Sequence, residues 1–126
     1  MNRLGAAQAY ARVGVETGVE GSDPRRLVVM LYDGALASLR EARAHVLRKD
    51  PVAKGRALAQ ALRIIDEGLA ASLDPNAGGE IARQLKDLYD YISRQLTLAN
   101  VRNDPALIDE ADRLLSELRG AWATPC

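Results

Sequence analysis

The chain has 126 residues, 48% of them hydrophobic and 27% charged. It is too apolar to be disordered by composition, and its length fits one domain. Only 4% of residues are aromatic, with no Phe, which argues against a β-sandwich or barrel and leaves helices as the default. Lys and Arg together number 17, as do Asp and Glu, so the chain lacks the basic excess of a general nucleic-acid binder.

Residues 1–21 read as a mobile arm. Leu4, Ala7, Tyr10 and Ala11 can form one short helical face, and Gly14, Gly18 and Gly21 loosen the stretch that follows. Residues 22–124 read as the bundle. Its punctuation is four Asp-Pro pairs, at 23–24, 50–51, 74–75 and 104–105. The residue before proline is pushed out of the α region, as an N-cap requires, and the Asp carboxylate can accept first-turn amides. Proline itself fits at N1. Each pair therefore marks a place where one helix has ended and another begins.

After Pro24 two apolar stripes share one helix, ending near Arg48. Leu27, Met30, Leu31, Gly34 and Ser38 form the first, and Val28, Tyr32, Ala35, Leu39, Ala42 and Val46 the second. So wide an apolar arc predicts burial on more than one side. Lys54, Leu58, Ala61, Leu62, Ile65 and Leu69 mark a second helix ending near Leu73. The run from Asp74 to Gly79 holds too many breakers to be helical throughout. Ile81, Leu85, Leu88, Ile92, Leu96 and Ala99 mark a third helix. Ile108, Ala111, Leu115, Leu118 and Trp122 mark a fourth, with a coiled-coil period. The predicted fold is all-α, an antiparallel four-helix bundle with a short N-terminal helical arm.

Motifs that would carry catalysis are missing. One His and one Cys cannot supply a di-iron or zinc site, and no phosphate-binding glycine loop occurs. No cofactor, no metal and no enzyme activity are expected. Asp33, Asp87 and Asp90 sit beside tyrosines and read as boundary carboxylates or groups that orient a Tyr hydroxyl. Arg40, Arg43, Arg48 and Lys49 read as a solvated helix face. The lone Cys126 excludes an intramolecular disulfide, which fits a reducing compartment. The start of the chain has no signal pattern, and the longest apolar run, Leu27 to Tyr32, is far short of the ~20 residues of a membrane span. A cytoplasmic protein with no membrane insertion and no nucleic-acid partner is expected.

Two alternatives stand beside a binding module. The stretch from His45 to Lys49 faintly resembles a histidine phosphotransfer motif, although Asp50-Pro51 ends the helix at once and Lys49 stands where those domains have glycine. The seam from Ile108 to Trp122 could also serve a self-assembling structural bundle.

Four ordered segments carry a more specific resemblance. They are Asp23-Pro24-Arg25-Arg26-Leu27 with Met30-Leu31-Tyr32-Asp33-Gly34-Ala35-Leu36, Leu73-Asp74 with Gly78-Gly79-Glu80-Ile81-Ala82, Leu85 to Ile92 with Ala99-Asn100 and Asn103-Asp104, and Leu114 to Trp122. With Ala9-Tyr10 they cover nearly the whole chain. In this set the sequence resembles the flagellar secretion chaperone FliS family. It departs from it at Arg25 and Arg26, where many members carry acidic residues, and in a longer spacer between Tyr10 and Pro24.

The resemblance implies a cytoplasmic export chaperone that binds the disordered C-terminal segment of flagellin, prevents its premature polymerisation and assists its export. The export apparatus or regulators are further candidate partners. It also implies that the arm caps the client groove, through Tyr10 helped by Leu4 and Ala7. The residues expected to line that groove are Leu31, Tyr32, Ile64, Ile65, Tyr89 and Tyr91. Core positions compete with that role, most of all for Leu31, Leu85, Leu88 and Ile92. Tyr89 and Tyr91 cannot face the same way, so one is expected to be packed and the other available.

Overall fold

The computed structural model describes residues 24–124. Asp23, the arm residues Leu4, Ala7 and Tyr10, and Cys126 lie outside that range. Four helices follow in order: α1 (Pro24–Leu47), α2 (Pro51–Arg63), α3 (Pro75–Arg102) and α4 (Pro105–Ala123). A π-helical segment, Ile64–Ala70, continues α2. Helix α1 packs on α2 and α4, and α3 packs on α4 and on α2 with its π-helical extension. Helices α1 and α3 therefore face each other across the axis of a closed ring, the expected antiparallel four-helix bundle.

The Asp-Pro punctuation acts as its chemistry predicts. Asp50, Asp74 and Asp104 all have extended φ/ψ with proline next, at the start of α2, α3 and α4. Asp50 Oδ1 accepts from the Ala53 amide at 3.1 Å, and Asp104 Oδ1 from Ala106 at 3.0 Å. Asp74 Oδ1 accepts from both Asn76 and Ala77, at 3.0 and 3.2 Å. Each cap satisfies amides that the first turn leaves without a helical partner.

Helix ends are closed by residues with positive φ. Asn103 (φ 51°) ends α3, a position asparagine tolerates, and Lys49 (φ 58°) follows the end of α1. The Asp50 amide donates to His45 O at 3.0 Å, completing a Schellman-type end. Glycine is the usual residue there, and a side chain in this conformation costs about 1–2 kcal/mol.

Three faces of α1 are engaged. Val28, Tyr32, Ala35, Leu39 and Ala42 are fully buried along the bundle axis. Leu31 and Gly34 face the α2 side, where their contacts are with Gly68 and Ile64. On the third face Asp33, Arg40 and Arg43 pair with Arg119, Asp112 and Asp109 of α4. One number rises as the other falls, which is the register of an antiparallel pair. Arg40 and Arg43, expected on a solvated face, are thus exposed yet joined to α4.

One local expectation needs correction. The second helix does not run unchanged to Leu73. It passes into the π segment, where the Ala71 amide reaches back to Asp66 O at 3.1 Å, one residue beyond the α spacing. At 3.6 residues per turn Leu69 already follows Leu58, Ala61 and Ile65 along the core line. The extra residue brings Leu73 toward the core in place of Ser72. Leu69 is fully buried, and Leu73 packs against the core. The stretch from Asp74 to Gly79 is, as expected, not helical throughout. Pro75 to Gly78 make one helical turn, and Gly79 (φ 56°, ψ −137°) separates it from the rest of α3. A Cβ there would meet nothing within 4 Å, so the backbone angle alone calls for glycine.

Lys54 lies on the buried face of α2, as its place in the apolar stripe suggests, and is 5% exposed. Its Nζ donates to Asn100 O at 2.8 Å and to Asn103 Oδ1 at 2.5 Å. The ammonium thus ties the start of α2 to the C-terminal end of α3, where a cation also complements the helix dipole. Lys54→Met keeps most of the stem and removes both charge-assisted bonds. It is expected to lower stability by about 1.5–3 kcal/mol, read as a shift of the urea midpoint without a change in slope.

Candidate partner-binding site

The six residues expected to line a groove do not form one surface. Tyr32 and Ile65 are 0% exposed and Tyr89 is 1% exposed, so these three are core residues and not exposed groove walls. Tyr32 continues the axial line of α1, Ile65 that of α2, and Tyr89 that of α3 with Ile92, Leu96 and Ala99. Helical spacing that puts a side chain on the axis removes it from any outer groove.

The two buried tyrosines meet across the bundle. Their hydroxyl oxygens are 2.5 Å apart, one donating to the other, although 57 positions separate them in sequence. Burial pushes the Tyr89 phenol up to about 12, and the bond to Tyr32 pulls it partly back. Two large rings thus fill the space between diagonal helices while their polar ends satisfy one another.

Leu31, Ile64 and Tyr91 are half-buried. Leu31 and Ile64 interlock at the contact between α1 and the π segment. A Cβ built on Gly68 would lie 3.3 Å from Leu31 Cδ2, and one built on Gly34 would lie 3.3 Å from Ile64 Cδ1. Each large side chain rests on the glycine opposite, which lets the backbones approach and leaves a shallow apolar strip. Met30, next to Leu31, is 48% exposed. Gly34 and Gly68 were not among the expected site residues. The signal for them is a large residue and a glycine three or four apart on each of two facing segments.

Tyr91 belongs to a different wall. Its hydroxyl donates to both carboxylate oxygens of Glu110 at 2.9 Å, and Gln95 Nε2 donates to the same carboxylate at 3.3 Å. Acceptance by Glu110 holds the Tyr91 phenol above its ordinary range, with desolvation adding to it. The split between packed Tyr89 and more accessible Tyr91 follows the expectation. The carboxylate that orients Tyr91 is Glu110, whereas Asp33 pairs with Arg119 and Asp90 with Lys86. Along the same wall Leu85 and Leu88 of α3 and Leu114, Leu118 and Trp122 of α4 are packed against the core but only partly buried. Ile92 is fully buried. A depression of about 210 Å³ opens between the π segment and α3, with Leu73 and Ala82 at its apolar part and Arg83, Lys86 and Asp87 around them.

These surfaces present apolar strips with polar rims. Among the described residues no three His, Cys, Asp or Glu side chains cluster as a metal site would require. His45 lies in the last turn of α1. Among the described residues no helix is long and apolar enough to cross a membrane.

Comparison with known proteins agrees with the resemblance read from the motifs. Residues 6–125 match the family model described as flagellar protein FliS. The flagellar secretion chaperone FliS of Salmonella typhimurium is 50% identical over 115 residues, 91% of this chain and 85% of that protein. The protein of the same name from Escherichia coli is 38% identical with the same coverage. The flagellar secretion chaperone FliSB of Pseudomonas aeruginosa is 37% identical over 122 residues, 97% of this chain and 96% of that protein. With this coverage, and with its helical bundle, the chain belongs to the FliS family of flagellar secretion chaperones.

Proposed function

We propose that this chaperone binds the C-terminal segment of flagellin in the cytoplasm, keeps it from polymerising early and delivers it for export, without catalysis. The observation that carries the reading is the half-buried strip of Leu31 and Ile64 over Gly34 and Gly68. An amphipathic helix needs an apolar shelf whose side chains are held in place yet still reach solvent. The strips on α3 and α4 offer a second shelf, which suits a disordered client that wraps a large surface as it folds. A client with exposed apolar faces self-associates unless they are covered.

Capture assays with full-length flagellin and with flagellin lacking its C-terminal segment test the reading. Retention of the full-length protein with loss of the truncated one is expected. Equal capture of both, or of neither, overturns it.

A further inference from the structure

The π-helical segment Ile64–Ala70 has no cause in its own sequence. Such segments are rare, and they often mark functional sites. This one carries Ile64 and Gly68, which form the α2 side of the apolar strip. Its register is also contested. With the extra residue, Leu73 packs toward the core. Without it, at 3.6 residues per turn, Ser72 would take that place.

The two registers are closely matched. The π register gains the burial of one leucine, and Leu73 is only half-buried. The α register regains regular hydrogen-bond geometry. Bringing Ser72 inward costs little, because its Oγ already donates to Gly68 O at 2.7 Å. That acceptor, four residues back, is the one a serine uses inside a helix.

The backbone on both sides permits the exchange. Upstream, the start of the segment is held to α3, where Ser93 Oγ donates to Asp66 Oδ1 at 3.0 Å. Downstream, the first turn of α3 is cut from the rest of that helix at Gly79, whose φ of 56° and ψ of −137° suit glycine alone. A residue released from the π segment can be taken up between these two points. A depression of about 210 Å³ beside Leu73 and Ala82 gives the Leu73 side chain space to leave.

The register also decides what Leu31 rests on. Gly68 lies inside the segment, and a Cβ built on it would come within 3.3 Å of Leu31 Cδ2. One residue corresponds to about 100° of helix rotation, so a change of register turns Gly68 away from that contact. The strip keeps its floor only in the π register.

We propose that residues 64–73 switch between a π and an α register, and that a helix docked on the strip of Leu31 and Ile64 selects the π register. The selection rests on the client reading given above, whereas the switch does not. A ligand shifts such an equilibrium by its differential affinity for the two states, and the seat of Leu31 supplies that difference. Occupancy of the strip is thereby relayed to the far side of the segment, where Leu73 and the depression against α3 change with the register.

The test is NMR on the full-length protein. Couplings across hydrogen bonds identify the acceptor of the Ala71 amide, which is Asp66 O in the π register and Glu67 O in the α register. S72L/L73S exchanges two side chains and puts leucine where the α register needs it. Deletion of Ser72 removes the extra residue and reaches the same register by a second route. Both variants are expected to move the Ala71 bond to Glu67, to shift the Leu31 methyl signals and to bind the C-terminal segment of flagellin about tenfold more weakly or worse. The parent is expected to show microsecond-to-millisecond exchange at Ala71 and Leu31 that the flagellin segment quenches. An Ala71 amide that stays on Asp66 in both variants, Leu31 methyls blind to the register, or a parent without exchange overturns the proposal. So does unchanged flagellin affinity in a variant that has taken the α register. If the parent itself does not bind the segment, the client reading falls, and the amide and methyl signals still decide the switch.

Discussion

Tyr32→Ala is expected to lower the stability of the bundle by about 3–5 kcal/mol, the range for emptying a large aromatic site in a packed core. The ring is fully buried and belongs to the cluster in which all four helices meet. Tyr32→Phe is the gentler probe. It keeps the ring and removes the hydroxyl that partners Tyr89 at 2.5 Å, for an expected loss of about 1–3 kcal/mol. Urea denaturation measures both. The same pair predicts a pH dependence. Burial holds the Tyr89 phenol at about 12 in the folded protein, against an ordinary value of 10.0. A raised pKa means that the folded state keeps its proton to higher pH than the unfolded state. The associated stability is therefore complete below pH 10 and is lost as pH rises toward about 12. Tyr89→Phe is expected to flatten that part of the profile. Client capture is expected to change in these variants only through the folded fraction. A Tyr32→Phe protein that is as stable as the parent but cannot bind flagellin would return the pair to the binding surface.

Two changes at the proposed groove are expected to act in opposite directions. Ile64→Glu places a carboxylate on the half-buried strip where the client helix would lie, and a loss of flagellin affinity of about 50-fold or more is expected in calorimetry. The stability cost is smaller than for a core residue because the carboxylate can turn toward water. Deletion of residues 1–16 is expected to tighten binding. The family resemblance implies that Tyr10, with Leu4 and Ala7, competes for the groove. A tethered competitor that occupied it nine-tenths of the time would weaken apparent affinity about tenfold. Removing it also exposes apolar surface, so lower solubility is expected with the gain in affinity. Unchanged affinity after the deletion refutes the capping role and leaves the Ile64 test intact.

The helices were legible because their start signals are local. Asp50, Asp74 and Asp104 each sit within three residues of the amides they cap, and proline follows each one. The opposed faces of Tyr89 and Tyr91 were legible for the same reason, since residues two apart on a helix cannot share a face. The features missed depend on what lies opposite. Tyr32, expected in the groove, sits instead on the bundle axis. Only the arrival of Tyr89 from the diagonal helix lets both hydroxyls be buried. Arg40 and Arg43 are exposed as expected, but their partners, Asp112 and Asp109, become neighbours only once α4 has its register. The π segment has no local signature. Its extra residue brings Leu73 rather than Ser72 toward the core.

The wall between α1 and α4 has a consequence for the order of events during synthesis. It joins the first and last described helices, and its Arg119–Asp33 bridge spans 86 positions of sequence. Contacts of such long range cost the most closure entropy and tend to form late. On the ribosome α1, α2 and α3 emerge first, so Tyr32 can find Tyr89 while the flank of α1 that carries Leu36 still lacks its cover. Until α4 swings in, the nascent bundle is an open trough with an apolar seam along one side. The pairs at 33/119, 40/112 and 43/109 contribute little energy on an exposed surface. They act as a vernier, since a slip of α4 by one turn would mismatch all three together. The last helix to be made is then also the one whose seating is most closely indexed.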